Sequence, residues 1–264
     1  MTGHPAQIGF SSQRLRIEWM DYAVRLAQEG ATSAQVHEAL LALLSANLAG
    51  EKRGMRGSRE KAATIIMRTW IRVPCELNGL RDTSLSILGT TDDRGMRIAT
   101  HWAMLGASYP FWFSVAANTG RLLRLQETIT AAQIQLRLRE SHGDRELVAR
   151  ATRTVLRSFI EWGVLAESDG RGTYSASSLV NVEDPRLVAG FAEALLYSSS
   201  KETMGVHELH THPALFPFHL GDINPRSLTD VSHRLEVHDT GRGEVLALTK
   251  TGNHSIRSRT SNKL

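Results

Sequence analysis

The chain has very little cysteine: among its 264 residues, Cys75 is the only one. A single thiol cannot close an intramolecular disulfide, and alone it makes a poor zinc site, so a disulfide-stapled secreted fold is excluded. The opening MTGHPAQIGF lacks the basic stretch and the apolar stretch of a signal peptide. We therefore expect a cytoplasmic protein.

Familiar catalytic motifs are also missing. The sequence contains no Walker A loop, no GxGxxG after a strand, no GxSxG and no HExxH. Asp92, Asp93 and Asp222 lack carboxylate or lysine partners at a spacing typical of nucleases. We expect a protein that is not an enzyme, with no catalytic residues and no cofactor.

The longest stretch without Asp, Glu, Lys or Arg is 98–120. It contains Thr100, His101 and Asn118, with Pro110 in the middle, whereas a membrane span of about 20 residues is predominantly apolar. Two buried helices that meet near Pro110 explain the stretch better, because proline is favoured in the first turn of a helix. No membrane partner is expected.

Helical periodicity dominates the first 165 residues, so the predicted fold class is mainly α. The charge of +4 permits a nucleic-acid partner without requiring one. The predicted organisation is a helical, helix-turn-helix-like N-terminal domain (1–81), a winged-helix domain with a small β-hairpin wing (82–182), a C-terminal α/β extension with a helix and a β-hairpin (183–249) and a basic disordered tail (250–264).

Residues 130–177 have the element order of a winged helix-turn-helix. Thr130 and Gln133 have capping-box spacing and open a short helix, which Gly143 ends. A long amphipathic helix runs from Asp144 to Trp162, and Leu147 is expected on its buried face. Alternating residues around a Gly-rich turn then predict a hairpin. The second helix of such a unit normally enters the major groove of DNA.

The polar face of that second helix suits DNA. Arg150, Arg153 and Arg157 recur at helical spacing and share one face. Arginine contacts phosphates or takes a guanine edge with two bonds. The predicted DNA-binding residues here also include flanking Arg145 and Thr154, and Arg171 at the hairpin tip. Two alternatives stay open: a solvated charged face, and a winged helix that binds another protein.

A second basic cluster lies between residues 51 and 72. It could form another helix-turn-helix unit, with basic side chains at a helix N-terminus whose backbone amides favour phosphate. A basic solvent-exposed face explains the cluster equally well. The candidate DNA contacts in it are Lys52, Arg53, Arg56, Arg59 and Lys61.

From about Ser12 to Gly170 the chain resembles the BrxA family of the bacterial BREX phage-defence systems. The residues that carry the resemblance lie in the opening helix (Leu15, Glu18 and Ala23), in Ser58–Ala62, in Arg97–Arg124 and above all in Ala151–Leu165. The resemblance implies a small, non-enzymatic protein that binds double-stranded DNA beside the system's methyltransferase and ATPase. Beyond about Pro185 the chain is longer than the family, and the resemblance implies nothing there.

Four histidines crowd the segment from His207 to His219. His210 and His212 match the start of a JAMM metalloprotease motif, but Leu220 and Ile223 stand where that motif needs Ser and Asp. We therefore expect a structural loop and no functional metal. A metal-dependent hydrolase that uses this cluster is the remaining alternative.

Overall fold

The computed structural model describes residues 8–10, 13–47, 56–143, 145–168, 170, 172–199, 201–241 and 243–249. Helices predominate among these residues, which confirms the mainly α fold class. Small β-sheets join the helices in the second half of the chain. The predicted basic tail (250–264) lies outside the described residues.

The N-terminal part is built from helices α1 (Ile17–Gln28), α2 (Ser33–Asn47) and α3 (Arg56–Trp70). Thr32 and Gln35 form a capping box at the start of α2: the Gln35 N–H donates to Thr32 Oγ1 over 3.4 Å, and the Thr32 N–H donates to Gln35 Oε1 over 2.8 Å. Each helix contacts the other two. These elements would position any second basic surface.

Helices α4 (Asn78–Leu88), α5 (Arg94–Ser108) and α6 (Pro110–Leu123) follow. Asp93 caps α5 by accepting the Met96 N–H over 2.7 Å, and Pro110 occupies the first turn of α6 as its fixed φ favours. The uncharged stretch forms the buried parts of α5 and α6. In the described part of the chain, no helix is both long and apolar enough to cross a membrane.

A compact unit follows α6: β1 (Thr128–Thr130), α7 (Ala131–His142), α8 (Glu146–Glu161), β2 (Leu165–Glu167) and β3 (Thr173–Ala176). The strands form an antiparallel sheet in the order β1-β3-β2. The predicted β2–β3 hairpin is confirmed. The structure adds β1 to it, so the expected hairpin is one part of a three-stranded sheet among the described residues.

The C-terminal part contains the predicted helix, α9 (Pro185–Ser198), and mixes short elements around it. The other elements are β4 (Val180–Val182), β5 (Thr203–Gly205), α10 (Val206–His210), β6 (Phe218–Leu220), α11 (Pro225–Val231), β7 (Leu235–Asp239) and β8 (Glu244–Leu248). β4 pairs with β6 in parallel, and β8 pairs with both β5 and β7 in antiparallel fashion. The β-hairpin predicted for 183–249 is β7–β8, with Gly241 in its turn.

Buried aromatic side chains connect these parts of the chain. The Trp102 ring on α5 stacks on Phe159 of α8 with centroids 4.7 Å apart. Its Nε1 donates to the backbone oxygen of Ala214 over 3.0 Å. Helix α5 also packs on α9. Packing therefore continues across the predicted boundary between 82–182 and 183–249, and the boundaries themselves stay predictions.

Candidate nucleic-acid interface

Local hydrogen bonds fix the orientation of α7. The Gln133 N–H donates to Thr130 Oγ1 over 3.2 Å, and the Thr130 N–H donates to Gln133 Oε1 over 2.8 Å, which confirms the predicted capping box. Because Thr130 is also the last residue of β1, the box ties the helix directly to the sheet. At the other end Gly143 has φ +79°, a left-handed conformation that favours glycine.

Helix α8 is sharply amphipathic. Its inner face is fully buried and consists of Val148, Ala151, Val155, Leu156 and Phe159. Small polar side chains on this side do not remain unpaired: Thr152 Oγ1 donates to the Val148 oxygen over 2.8 Å, and Ser158 Oγ donates to the Thr154 oxygen over 3.1 Å. Since the core fixes one face, the rotation of α8 is set, and with it the direction of the opposite face.

The opposite face presents the predicted arginines. Arg150, Arg153 and Arg157 are all exposed. Arg150 Nη2 pairs with Glu146 Oε1 over 2.6 Å one turn earlier, while Arg153 makes no ion pair within the described ranges. Arg157 approaches the sheet: burial raises the pKa of Tyr174 on β3, Glu167 raises it further, and the charge of Arg157 lowers it. The row thus runs from the start of α8 towards the hairpin.

Arg145 lies at the N-terminal end of the same row. It precedes the first residue of α8 in an extended conformation and is exposed. Its guanidinium has only donors and therefore cannot cap the helix N–H groups. Arg145 adds one exposed positive charge between Gly143 and the start of α8.

Two expectations for α8 need correction. Thr154, predicted to flank the DNA-contacting face, is only 4% exposed, and its hydroxyl donates to the Arg150 oxygen over 3.1 Å. It faces the core because it lies three residues after Ala151 and one before Val155, both buried. Leu147, expected in the core, is 44% exposed and lies on the arginine side. Arg171, at the predicted tip, lies outside the described residues.

The second basic cluster is described only in part. Lys52 and Arg53 fall outside the described residues, and of Arg56 only the backbone, at the start of α3, is described. Arg59 is partly buried and donates from Nη1 to Ser45 Oγ over 2.8 Å, which ties α3 to α2. Lys61 is exposed. Arg59 therefore joins α3 to α2. Of the candidate DNA contacts in this cluster whose side chains are described, Lys61 is the one exposed to solvent.

Sequence reasoning missed two features of this surface. Strand β1 has three residues, too few for alternation to reveal it. Leu136 in the middle of α7 is 61% exposed and Leu147 in the first turn of α8 is 44% exposed, so each helix has one large apolar side chain in solvent. Leu136 lies two residues after Ile134 and two before Leu138, which are both buried. In a helix a residue at that spacing points away from the core, and this could have predicted the exposure of Leu136.

The histidine segment does not assemble a metal centre in the described part of the chain. The rings of His210 and His219 have centroids 6.3 Å apart. His212 turns to its own backbone, where Nδ1 accepts the Ala214 N–H over 3.2 Å. No three His, Cys, Asp or Glu side chains among the described residues are placed to hold a metal ion. The described residues therefore provide no set of metal ligands for the alternative of a metal-dependent hydrolase.

Comparison of the chain with models of known protein families, with curated proteins and with solved structures gives no match. Its function has to be argued from its own residues. The strongest of these observations is the fixed helix α8, which buries one face in the core and presents Arg150, Arg153 and Arg157 on the other.

Proposed function

We propose that the protein binds double-stranded DNA through a winged helix-turn-helix formed by β1, α7, α8, β2 and β3. In this interpretation α7 and α8 are the helix-turn-helix, α8 is the recognition helix and the β2–β3 hairpin is the wing. The observation that carries the proposal is the row of exposed arginines on the one face of α8 that the core leaves open. That is the face a recognition helix presents to the major groove.

The chemistry of the row fits nucleic acid. Arginine stays charged at every physiological pH, and its planar fork binds phosphate oxygens or the O6 and N7 of guanine. Arg153 and Arg157 are available because no ion pair within the described ranges holds either of them. Arg150 has to exchange Glu146 for phosphate, which costs little at an exposed pair. Arg145 extends the row by one more charge.

Further basic residues add contacts to this core of the interface. Arg171 would reach a neighbouring phosphate from the wing. Lys52, Arg53, Arg56 and Lys61 would form a second, mainly electrostatic contact surface, and the basic residues of 250–264 would add contacts that do not depend on DNA sequence. Arg59 contributes chiefly by joining α3 to α2.

The resemblance of the sequence to the BrxA family suggests a biological setting for the proposed activity. We propose that the protein is a non-enzymatic, cytoplasmic accessory protein of a BREX-like phage-defence system. Its partners would be duplex DNA and other proteins of that system, among them the methyltransferase and the ATPase. The resemblance in Ala151–Leu165 supports this setting, since that segment is the second half of α8 and the start of the sheet.

The test replaces Arg150, Arg153 and Arg157 together by Gln. Glutamine is a good helix former, so α8 should persist. We expect the affinity for duplex DNA to fall by at least about 100-fold at moderate salt, because three charge-assisted contacts are lost. Fluorescence anisotropy with a labelled duplex measures the affinity, and circular dichroism verifies the fold.

The matched control replaces three exposed arginines elsewhere, Arg25, Arg94 and Arg226, by Gln. It changes the net charge by the same amount, so it reports the effect of charge alone. The control should lose less than about tenfold in affinity. Equal binding by the folded triple variant and the wild-type protein would show that α8 does not contact DNA.

The exposed leucines favour a second candidate, a protein-protein adaptor. Leu136 is 61% exposed in the middle of α7, and Leu147 is 44% exposed in the first turn of α8. In this alternative the two leucines would belong to one contiguous apolar patch, which is typical of a surface that binds another protein. Replacement of both leucines by Ser should leave DNA affinity within about threefold if they serve a partner, and should abolish co-purification with the defence-system methyltransferase or ATPase. If that co-purification survives, the adaptor candidate is wrong.

A further inference from the structure

A cavity of about 280 Å³ opens where the ends of α7 and α9 meet the outer face of α6. Arg121 and Asn118 of α6, Ser141 and His142 of α7, and His212 are among the described residues that line it. None of the lining residues is an aspartate or a glutamate. Asn118 Nδ2 and Ser141 Oγ already donate to the Ser114 and Leu138 oxygens. The cavity therefore offers the positive charge of Arg121 and the ring of His212, and none of its lining residues carries a carboxylate that would repel an anion.

His212 caps a turn before a proline, a position at which Asp184 and Asn224 serve elsewhere in the chain. Before Pro185 and before Pro225, Asp184 and Asn224 cap the following turn by accepting the N–H two residues later, over 2.8 and 3.0 Å. His212 precedes Pro213 and accepts the Ala214 N–H through Nδ1 over 3.2 Å. An Asp or Asn side chain could accept the Ala214 N–H equally well. The histidine accepts it through Nδ1 and has a second ring nitrogen, Nε2, that the cap does not use.

The protonation of this histidine follows from its surroundings. Burial lowers the pKa of His212 to about 4; Glu208 acts to raise it, and Arg121, Lys201 and Arg124 act to lower it further. The ring is therefore neutral near pH 7. Because Nδ1 accepts a hydrogen bond, the proton is on Nε2. Within the described ranges this N–H has no hydrogen-bond partner, and Nδ1 already faces the backbone.

The geometry points to a binding site for a small molecule that carries a phosphate or a similar oxyanion, held by the guanidinium of Arg121 and the Nε2–H of His212. Both groups donate and neither accepts, so the ligand atom between them has to be an acceptor. Arg121 is exposed and makes no ion pair in the described part of the chain, so its charge is available. Three cations act on His212 against the single carboxylate of Glu208, which favours a negatively charged ligand.

Size narrows the ligand class. The volume of about 280 Å³ lies at the lower end of ligand pockets, which run from roughly 300 to 1,000 Å³. It accommodates phosphate or a small phosphate ester, whereas a DNA duplex would need a broad open groove. The proposal does not rest on DNA binding by α8, because its residues lie on α6, at the end of α7 and after α10.

The experiment titrates the full chain with inorganic phosphate in a calorimeter, with ionic strength held constant by NaCl. We expect saturable binding to the wild-type protein. Arg121→Gln and His212→Asn should each weaken it by about 10-fold or more, because each removes a donor to a charged ligand. The asparagine of His212→Asn can still cap the turn as Asn224 does, so this variant should stay folded. Arg226→Gln, an exposed arginine at the start of α11, is the control and should bind phosphate as the wild type does.

Three outcomes would overturn the proposal. Heat that does not saturate shows that no phosphate site exists. Wild-type phosphate affinity in folded Arg121→Gln and His212→Asn variants shows that phosphate binds elsewhere. If both variants lose duplex DNA affinity while the wild type shows no saturable phosphate binding, the cavity belongs to a DNA-contacting surface. Saturable phosphate binding that the two variants lose, with duplex affinity unchanged, supports a free small oxyanion as the ligand.

Discussion

The indole Nε1 of Trp162 donates to the backbone oxygen of Leu15 over 3.0 Å. The N–H of Leu15 in turn donates to Ser158 Oγ over 2.9 Å. All three residues are buried, so the C-terminal end of α8 is bonded to both the backbone N–H and the backbone oxygen of Leu15. The orientation of the proposed recognition helix therefore depends on a segment more than a hundred residues away.

Trp162→Phe tests this connection. Phenylalanine replaces the indole by a smaller aromatic ring without an N–H. The buried Leu15 oxygen is then left without its donor, at a cost of about 1–3 kcal/mol in the free energy of unfolding beyond the lost volume. Trp70→Phe is the matched control, because Trp70 Nε1 is buried and finds no partner within the described part of the chain. Chemical denaturation of both variants makes the comparison. Equal losses would mean that the Trp162 hydrogen bond contributes nothing.

A buried ion pair secures the C-terminal part. Glu193 on α9 is 4% exposed, and its carboxylate accepts from Arg234 Nε over 2.6 Å and from Ser232 Oγ over 2.7 Å. Glu193→Gln removes the charge and should lower the free energy of unfolding by about 3 kcal/mol, since Arg234 is left without its counter-ion.

Glu208→Gln is the control for that variant. Its partner Lys201 is 60% exposed, and such a surface pair contributes about 1 kcal/mol at most. Urea unfolding curves at pH 7 separate the two outcomes. A Glu193→Gln variant no less stable than Glu208→Gln would show that the buried pair is balanced by its desolvation cost.

Helix α6 packs closely against the turn after His212, and Gly120 makes this possible. A Cβ at Gly120 would collide with the backbone oxygen of Pro213 and with Cβ of Phe216, neither of which can rotate away. We expect Gly120→Ala to destabilise the protein by about 1–3 kcal/mol. Gly57→Ala in α3 meets nothing within 4 Å and should instead stabilise by about 0.5–1 kcal/mol. Thermal unfolding of the pair tests the opposite signs.

The elements predictable from sequence are those whose signal is local. The amphipathic pattern from Leu147 to Phe159, the capping residue Thr130 and the turn glycine Gly143 lie within 30 consecutive residues, and the structure places α7 and α8 accordingly. The β7–β8 hairpin was recoverable for the same reason, because its turn residues lie between its strands.

The missed elements depend on distant partners. β4 pairs with β6, with Val180 opposite Phe218. Strands of three residues show too little alternation for the sequence to predict that pairing. The burial of Thr154 and the exposure of Leu147 could not be predicted from the sequence either. Which side chains of α8 are buried depends on where α6 and α7 cover the helix. The arginine row was predictable because charge itself marks the solvent face.

Buried histidines should make the protein sensitive to acid. Burial lowers the pKa of His212 to about 4, and it also lowers the pKa values of His101 and His142. In the unfolded chain a histidine takes up a proton near pH 6.5, whereas the folded His212 resists protonation down to about pH 4. The free energy of unfolding should therefore fall as the pH drops from about 6.5 to 4.

His212→Asn isolates one contribution. Asparagine does not titrate and can keep the cap, so the decline between pH 6.5 and 4 should be shallower in the variant. Denaturation midpoints measured at half-unit pH steps test this, with His238→Asn, an exposed histidine on β7, as the control. A wild-type slope in His212→Asn would mean that the imidazole is protonated in the folded protein as readily as in the unfolded chain.

Glu146 offers a sharp test of the proposed DNA interface, because it is an acidic residue beside the arginine row. It lies in the first turn of α8, where a negative charge favours the helix, and it pairs with Arg150 over 2.6 Å. Glu146→Gln should therefore lower the free energy of unfolding by about 0.3–1 kcal/mol. The same change releases Arg150 and removes a charge that repels phosphate, so duplex DNA affinity should rise about two- to fivefold at low salt.

The opposite signs of the two effects distinguish this prediction from general damage. A variant that merely loosens the fold would lose both stability and affinity. The gain in affinity should shrink as salt rises, because screening weakens the repulsion that the carboxylate exerted. Glu244→Gln, an exposed glutamate on β8, makes the same change in net charge away from α8 and should leave the affinity within about 1.5-fold. Unchanged or weaker duplex binding by folded Glu146→Gln would place the DNA contact elsewhere than at the start of α8.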